Sequence, residues 1–491
     1  MLQCAFLFLN MCYNLIMITF IIGLLILLFG YVFYSRYVEK IMEPDNSDTP
    51  ARKMNDGVDF VPIEKKRNAL IHLLNIAGMG PIIGAVQGIL FGPVAFILIP
   101  LGCILFGGAH DYFIGMLSVK NKGLQITGLI KEYLGKNAYR FFIIVVSIML
   151  LLLATVFVYT AGDLFVERFF NIKNFTLDNP IVYTTYLVII SYFIFATLFP
   201  IDKIIGKFYP LLAIALILGT ALILIGFFIK GINLQNIDFS HLNCHPKKIP
   251  LIPMFFMTVS CGLLSGFHST QATIISRTLK SQYDGRVVFY GMMVLESLIA
   301  MIWAAAAMDV YSYNLVNENL IGTVNVVNVI ADKFVPFNIA FLVTIAIIVL
   351  PITSGDTALR GLRIIIADAL NVSQKSIKNR LKIACPIVAF VFLILFWAKL
   401  NTGSFSLIWR YFTFFNQLIA IPVLLCASIY LYRKNKNFLT ALVPALLYVF
   451  ITITFIASEK IGFSLPIGIS YFIGLISVIL ITLYSFKKFK N

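Results

Sequence analysis

The chain has 491 residues, 60% of them apolar and only 12% charged, with a mean hydropathy of +0.93. A soluble globular domain carries about 25% charged residues, so this composition excludes one and points to an all-α polytopic membrane protein in a lipid bilayer. The net charge of +16 would suit nucleic acid, but Lys and Arg cluster between apolar runs in the alternating way that sets membrane topology, so no nucleic-acid partner is expected.

Apolar runs of roughly 20 residues, enough to cross ~30 Å of hydrocarbon, follow one another along almost the whole chain. Span 1, Tyr13 to about Tyr34, lacks a basic region before it and a small-residue cleavage site after it, so it is not a signal peptide. Arg36, Lys40, Arg52, Lys53, Lys65, Lys66 and Arg67 follow, which places the N-terminus outside and residues 35–67 in a cytoplasmic basic loop. Span 2, about Asn68–Phe91, is interrupted by Gly78-Met79-Gly80-Pro81 and Gly84. Spans 3 to 6 are about 92–118, 141–162, 181–199 and 209–228, and an outer loop at 230–250 holds a cluster of His, Cys and Pro. Span 7, Pro250 to Arg277, is interrupted by Ser260-Cys261-Gly262-Leu263-Leu264-Ser265-Gly266-Phe267-His268-Ser269. Spans 8 to 13 are about 288–308, 335–359, 383–398, 405–431, 438–456 and 463–486, with the basic C-terminus inside. This layout puts 29 of the 38 Lys and Arg residues inside and eight outside, with Arg410 within span 11. Removing one span would invert every later loop and destroy that bias. The seven cysteines show no C-x-x-C pair; Cys4, Cys12 and Cys244 fall on the outer side.

The two interrupted spans are five apart, so span 2 runs outward and span 7 inward. Residues 68–229 and 251–431 are therefore predicted to form an inverted five-helix repeat of the LeuT-like (APC) kind, with discontinuous helices 2 and 7. Residues 1–34 form an extra first span, and residues 432–491 add two helices and a basic tail. In hydrocarbon an unwound backbone must find partners inside the protein, so paired breaks usually line a binding site. That makes Gly78, Gly80, Pro81, Gly84, Ser260, Gly262, Ser265, Gly266, His268 and Ser269 candidate substrate contacts. Close packing of helices explains any one of the glycines equally well.

Ionisable groups inside spans usually face the protein interior. Asp356, with Thr353, Ser354 and Thr357 on the same helix, offers hard oxygen ligands to Na⁺ or a carboxylate to a proton; pairing with Arg360 one turn on is the plainer alternative. Glu296 in span 8 either carries a proton or bonds a neighbouring helix, and His110-Asp111 in span 3 is a candidate relay. Asn416-Gln417 in span 11 suits a gate, a substrate contact or an interhelical clamp. Arg410 is an outer gate charge or a snorkelling side chain. No cofactor beyond a coupling H⁺ or Na⁺ is expected.

Asp56-Gly57-Val58-Asp59-Phe60-Val61-Pro62, Ile76-Ala77-Gly78-Met79-Gly80-Pro81-Ile82-Ile83-Gly84, Cys261-Gly262, Ser265-Gly266-Phe267-His268-Ser269, Asp356-Thr357-Ala358 and Asn416-Gln417 resemble, in that order, the carbon starvation protein A family. The resemblance covers roughly residues 30 to 430. It implies ion-coupled symport of small nutrients, peptides or in some members pyruvate, in the plasma membrane. Where that family tends to have Trp-Pro…Phe-Gly before Asn-Gln, this chain has Trp409-Arg410-Tyr411-Phe412-Thr413. A channel, or an intramembrane enzyme using His110, Asp111 and His268, is the competing class; no H-E-x-x-H is present to favour the latter.

Overall fold

The computed structural model describes residues 17–57, 59–172, 177–198, 205–312, 325–374, 376–401 and 403–490. Its principal helices are α1 (Ile18–Met42), α2a (Lys65–Ile76), α2b (Gly80–Phe91), α3 (Ala95–Lys120), α4 (Lys136–Phe170), α5 (Pro180–Leu198), α6 (Ile205–Lys230), α7a (Leu251–Thr258), α7b (Gly266–Ile275), α8 (Gln282–Ser312), α9 (Phe337–Ala369), α10 (Ile377–Leu400), α11 (Ser404–Arg433), α12 (Leu439–Ser458) and α13 (Ile467–Lys490). Among the described residues, ten of these are long and apolar enough to cross a membrane, eleven if α2a and α2b count as one bent span. The protein is thus an all-helical multi-pass membrane protein.

Both interruptions have a local cause. Between α2a and α2b the axis turns by 56°, at glycines whose backbone is poorly restrained and at Pro81, which has no N–H to continue the ladder. Between α7a and α7b residues 259–265 leave the helix, and Gly262 takes φ +87°, a conformation that L side chains rarely adopt.

Three expectations change. Arg36 and Lys40, assigned to a loop, extend α1 as helix. Arg360 and Arg363, also assigned to a loop, continue α9 as buried residues, with Arg360 donating to the Ala196 carbonyl (2.8 Å) and Arg363 to Gln374. Lys399, expected in an outer loop, is buried in an ion pair with Asp163 (2.6 Å) and lies over the Tyr159 ring. Hydropathy marks such cations as solvated because it cannot see the acceptors that the fold brings to them. Cys4, Cys12 and the start of span 1 at Tyr13 lie outside the described residues.

Among the ten long apolar spans, the most enclosed are α9 and α11, whose most apolar stretches are 83% and 78% buried, against 28% in α1 and 11% in α13. α4 lies along α9 and α11, α2a packs on α6, and α12 and α13 pair at one side. The bundle has two recognisable ends. At one, Thr19 bonds Asn236 and Ile237, Cys244 donates its N–H to the Phe91 carbonyl, and Lys333 pairs with Asp309. At the other, Glu43 pairs with Lys436, Arg286 with Glu39, and the segment before α2a lies against the turn after α7b.

Candidate functional site

The breaks of α2 and α7 meet. A Cβ on Gly80 would collide with the Cys261 side chain, one on Gly84 would stand 3.0 Å from the Thr258 carbonyl oxygen, and one on Gly88 would strike Val259. Gly78 abuts Phe157 of α4 and Ser354 of α9. Gly80 and Gly84 thus let the two interruptions pack together, while Gly78 seats the first break against α4 and α9.

α11 satisfies the backbone that α7 frees. Asn416 Oδ1 accepts from the Phe267 N–H at the start of α7b (2.7 Å) and from Ser265 Oγ (3.1 Å). Gln417 Nε2 donates to the carbonyls of Phe256 on α7a (3.2 Å) and of Leu264 within the break (3.0 Å). These contacts are those of an interhelical clamp. Gly266 fits because the Asn416 carbonyl passes where a side chain would stand. Ser269 and Thr270 turn their hydroxyls back onto carbonyls of the same helix, while Ser260 offers its carbonyl to the Leu264 N–H (3.0 Å).

Beside the crossing lies a wholly buried polar cluster drawn from α3, α7b and α8. His110 Nδ1 is 2.8 Å from Asp111 Oδ1; Asp111 Oδ2 is 3.0 Å from His268 Nδ1; His268 Nε2 is 3.6 Å from Glu296 Oε2. The segment before Asp111, Cys103–Gly107, is a wide helical turn, a feature frequent at functional sites, and the Tyr290 hydroxyl from α8 donates to its Ile104 carbonyl (2.6 Å). His72 of α2a is also buried nearby, edge-on to Phe289. Three candidates read separately from sequence, Asp111, His268 and Glu296, are thus brought together, and Cys261 joins them: its sulfur, a His268 nitrogen and a Glu296 oxygen all lie within 4.8 Å of one another. Neither Cys261 nor His72 was marked as a site by its sequence, because a lone Cys or His in an apolar run carries no spacing signal.

The α9 candidates divide. Ser354 Oγ donates to the Leu74 carbonyl near the end of α2a (3.2 Å), whereas Asp356 Oδ2 accepts from the Tyr209 hydroxyl of α6 (2.9 Å). Thr353 and Thr357 bond carbonyls of their own helix. Arg410 pairs with Glu459 (2.5 Å) at the loop after α12. An apolar hollow of about 550 Å³ is lined by Phe165, Phe170, Ile181, Val188 and Ile348 and by none of these polar groups.

A sequence profile of the carbon starvation protein CstA family matches residues 15–170 and 159–340. An uncharacterized membrane protein of Haemophilus influenzae is 34% identical over 60% of this chain and 91% of its own length. A protein of Bacillus subtilis named peptide transporter CstA is 23% identical over 95% of this chain and 96% of its own. In fold, the chain is similar to a manganese transporter from Eremococcus coleocola crystallised with an aromatic bis-isothiourea compound, with a TM-score of 0.57 and 12% identity over 89% of this chain and 99% of that one. Matched through its N-terminal two thirds by the family profile and along nearly its whole length by a named member, the chain belongs to the carbon starvation protein CstA family.

Proposed function

We propose that this protein is an ion-coupled secondary transporter that imports a small carboxylate-bearing nutrient, a peptide or a pyruvate-like acid, across the plasma membrane. In this reading it crosses thirteen times, N-terminus outside and C-terminus inside, and residues 68–229 and 251–431 are the two halves of an inverted repeat. The observation that carries the reading is the crossing of two interrupted helices at glycines, with a buried polar cluster beside it. Such paired breaks are where alternating-access carriers hold their solute. The name of the B. subtilis relative supports a peptide among the cargoes.

The surfaces a solute would part are Gly78, Gly80, Pro81 and Gly84 on one side, and Ser260, Gly262, Ser265, Gly266 and Ser269 on the other. The coupling cation is taken at α9, where Ser354 meets the Leu74 carbonyl and Asp356 lies one half-turn on. Hard oxygen donors of that kind suit Na⁺, and the carboxylate suits H⁺.

The test is uptake of labelled dipeptide and labelled pyruvate into proteoliposomes under separately imposed proton and sodium gradients. Uptake of one of them should collapse when the driving gradient is dissipated; flux indifferent to any gradient would remove the coupling. Asp356→Asn should lose ion dependence while the protein remains folded in detergent. Unchanged ion dependence in that variant would take Asp356 out of the mechanism.

A further inference from the structure

We propose that Cys261, His268 and Glu296 form a binding site for one divalent transition-metal ion of the zinc, cobalt or iron(II) class. Three observations carry it. The sulfur, a ring nitrogen and a carboxylate oxygen converge within 4.8 Å of one another in a fully enclosed setting. Zn²⁺ bonds of about 2.0–2.3 Å need donors roughly 3.3–3.7 Å apart, so a side-chain adjustment of about 1 Å closes the set. Next, His268 Nε2 and both Glu296 oxygens make no hydrogen bond, Nε2 facing Glu296 Oε2 only at 3.6 Å, although buried polar atoms nearly always have a partner. Finally, the other imidazole nitrogen is already engaged: Asp111 Oδ2 holds Nδ1 at 3.0 Å and is itself held through Oδ1 by His110. A carboxylate behind a histidine, fixing its ring so that the second nitrogen faces inward, is the usual outer shell of a metal-ligating histidine.

Chemistry selects the ion. A thiolate with an imidazole and one carboxylate favours a borderline-soft metal over Mg²⁺ or Ca²⁺, which take oxygen ligands. Two carboxylates enclosed at membrane depth are costly without countercharge, and a divalent ion supplies it. On binding, the Cys261 S–H bond breaks, the metal–sulfur bond forms and one proton leaves to solvent. Since Gly80 packs on Cys261, the bound ion would lie against the crossing of α2 and α7. The inference stands on these side chains and not on the transport reading: nutrient uptake in metal-free liposomes tests the one, and binding to purified protein tests the other.

The experiment is titration of tag-free, full-length, reduced protein in detergent with Co²⁺, followed by Zn²⁺. One Co²⁺ per chain is expected, with a sulfur-to-cobalt charge-transfer band in the near ultraviolet that Zn²⁺ abolishes. Cys261→Ser should remove that band. Asp111→Asn should keep the band and weaken binding by about 10- to 100-fold. No stoichiometric binding, the behaviour of a cluster that holds only protons, would overturn the proposal. So would a band that persists in Cys261→Ser, which would put the ion at another cysteine, such as exposed Cys244 or Cys385. Zinc-edge X-ray absorption of the unmodified protein reads the donor set without any variant: one sulfur among nitrogen and oxygen neighbours supports the site, and a shell without sulfur refutes it.

Discussion

At the scale of single residues, the amide pair on α11 decides whether the break in α7 can exist. Asn416 caps the Phe267 N–H in the first turn of α7b, and Gln417 reaches one carbonyl on α7a and one within the gap, so one dipeptide serves backbone groups that water cannot reach. An unsatisfied buried donor costs about 1–3 kcal/mol. Asn416→Ala should therefore lower stability by about that amount, read as a lower unfolding midpoint in detergent; an unchanged midpoint would mean that the Phe267 N–H finds another acceptor. The pair was visible in the sequence as polar residues in an apolar run, but its role was not. Clamp, gate and solute contact demand the same amide chemistry, and only the distance to Phe256 and Leu264 separates them. The same limit applies to Asp111, His268 and Glu296, which are far apart in the chain and meet only because α3, α7b and α8 pack together.

Among elements, the segment before α2a and the turn after α7b close one end of the bundle. Val61 N–H donates to the Arg277 carbonyl (3.2 Å), Ile63 N–H to the Thr278 carbonyl (3.0 Å), and Ile63 and Leu279 form a parallel bridge. Lys280–Glu64 and Lys65–Asp284 decorate it. Ion pairs this exposed are worth about 0–1 kcal/mol, so the latch is held by its backbone bonds and by burial of Ile63, Leu279 and Thr49. Bridged chains lie about 4.8 Å apart, within the reach of a disulfide. Ile63→Cys with Leu279→Cys, in a chain whose Cys244 and Cys385 are serine, should cross-link on oxidation and stop uptake, and reductant should restore it. Full uptake by cross-linked protein would show that this end never opens. The breaks themselves were legible, because Gly and Pro act locally; this latch was not, since residues 61–63 and 277–279 carry no mark of pairing.

For the whole molecule, charge distribution and hydropathy give different numbers of crossings. Hydropathy applied to continuous helices passes over α7, because α7a has eight residues and α7b ten. At 1.5 Å per residue these rise only about 12 and 15 Å. With the seven residues between them they reach the ~30 Å of a hydrocarbon core. The charge bias of the basic loops predicts the crossing, with Arg360, Arg363 and Lys399 now placed inside the fold. The consequence can be measured. If α7 crosses, five passes separate the loop carrying Cys244 from the turn carrying Lys434, and the two face opposite sides. If α7 merely dips in and returns, four passes separate them and they face the same side. In a chain keeping only Cys244, a membrane-impermeant maleimide should label intact cells. In one keeping only a cysteine placed by Lys434→Cys, the same reagent should label only after the membrane is opened. Labelling of both from outside would make α7 a re-entrant loop, and the two halves could then no longer be inverted copies.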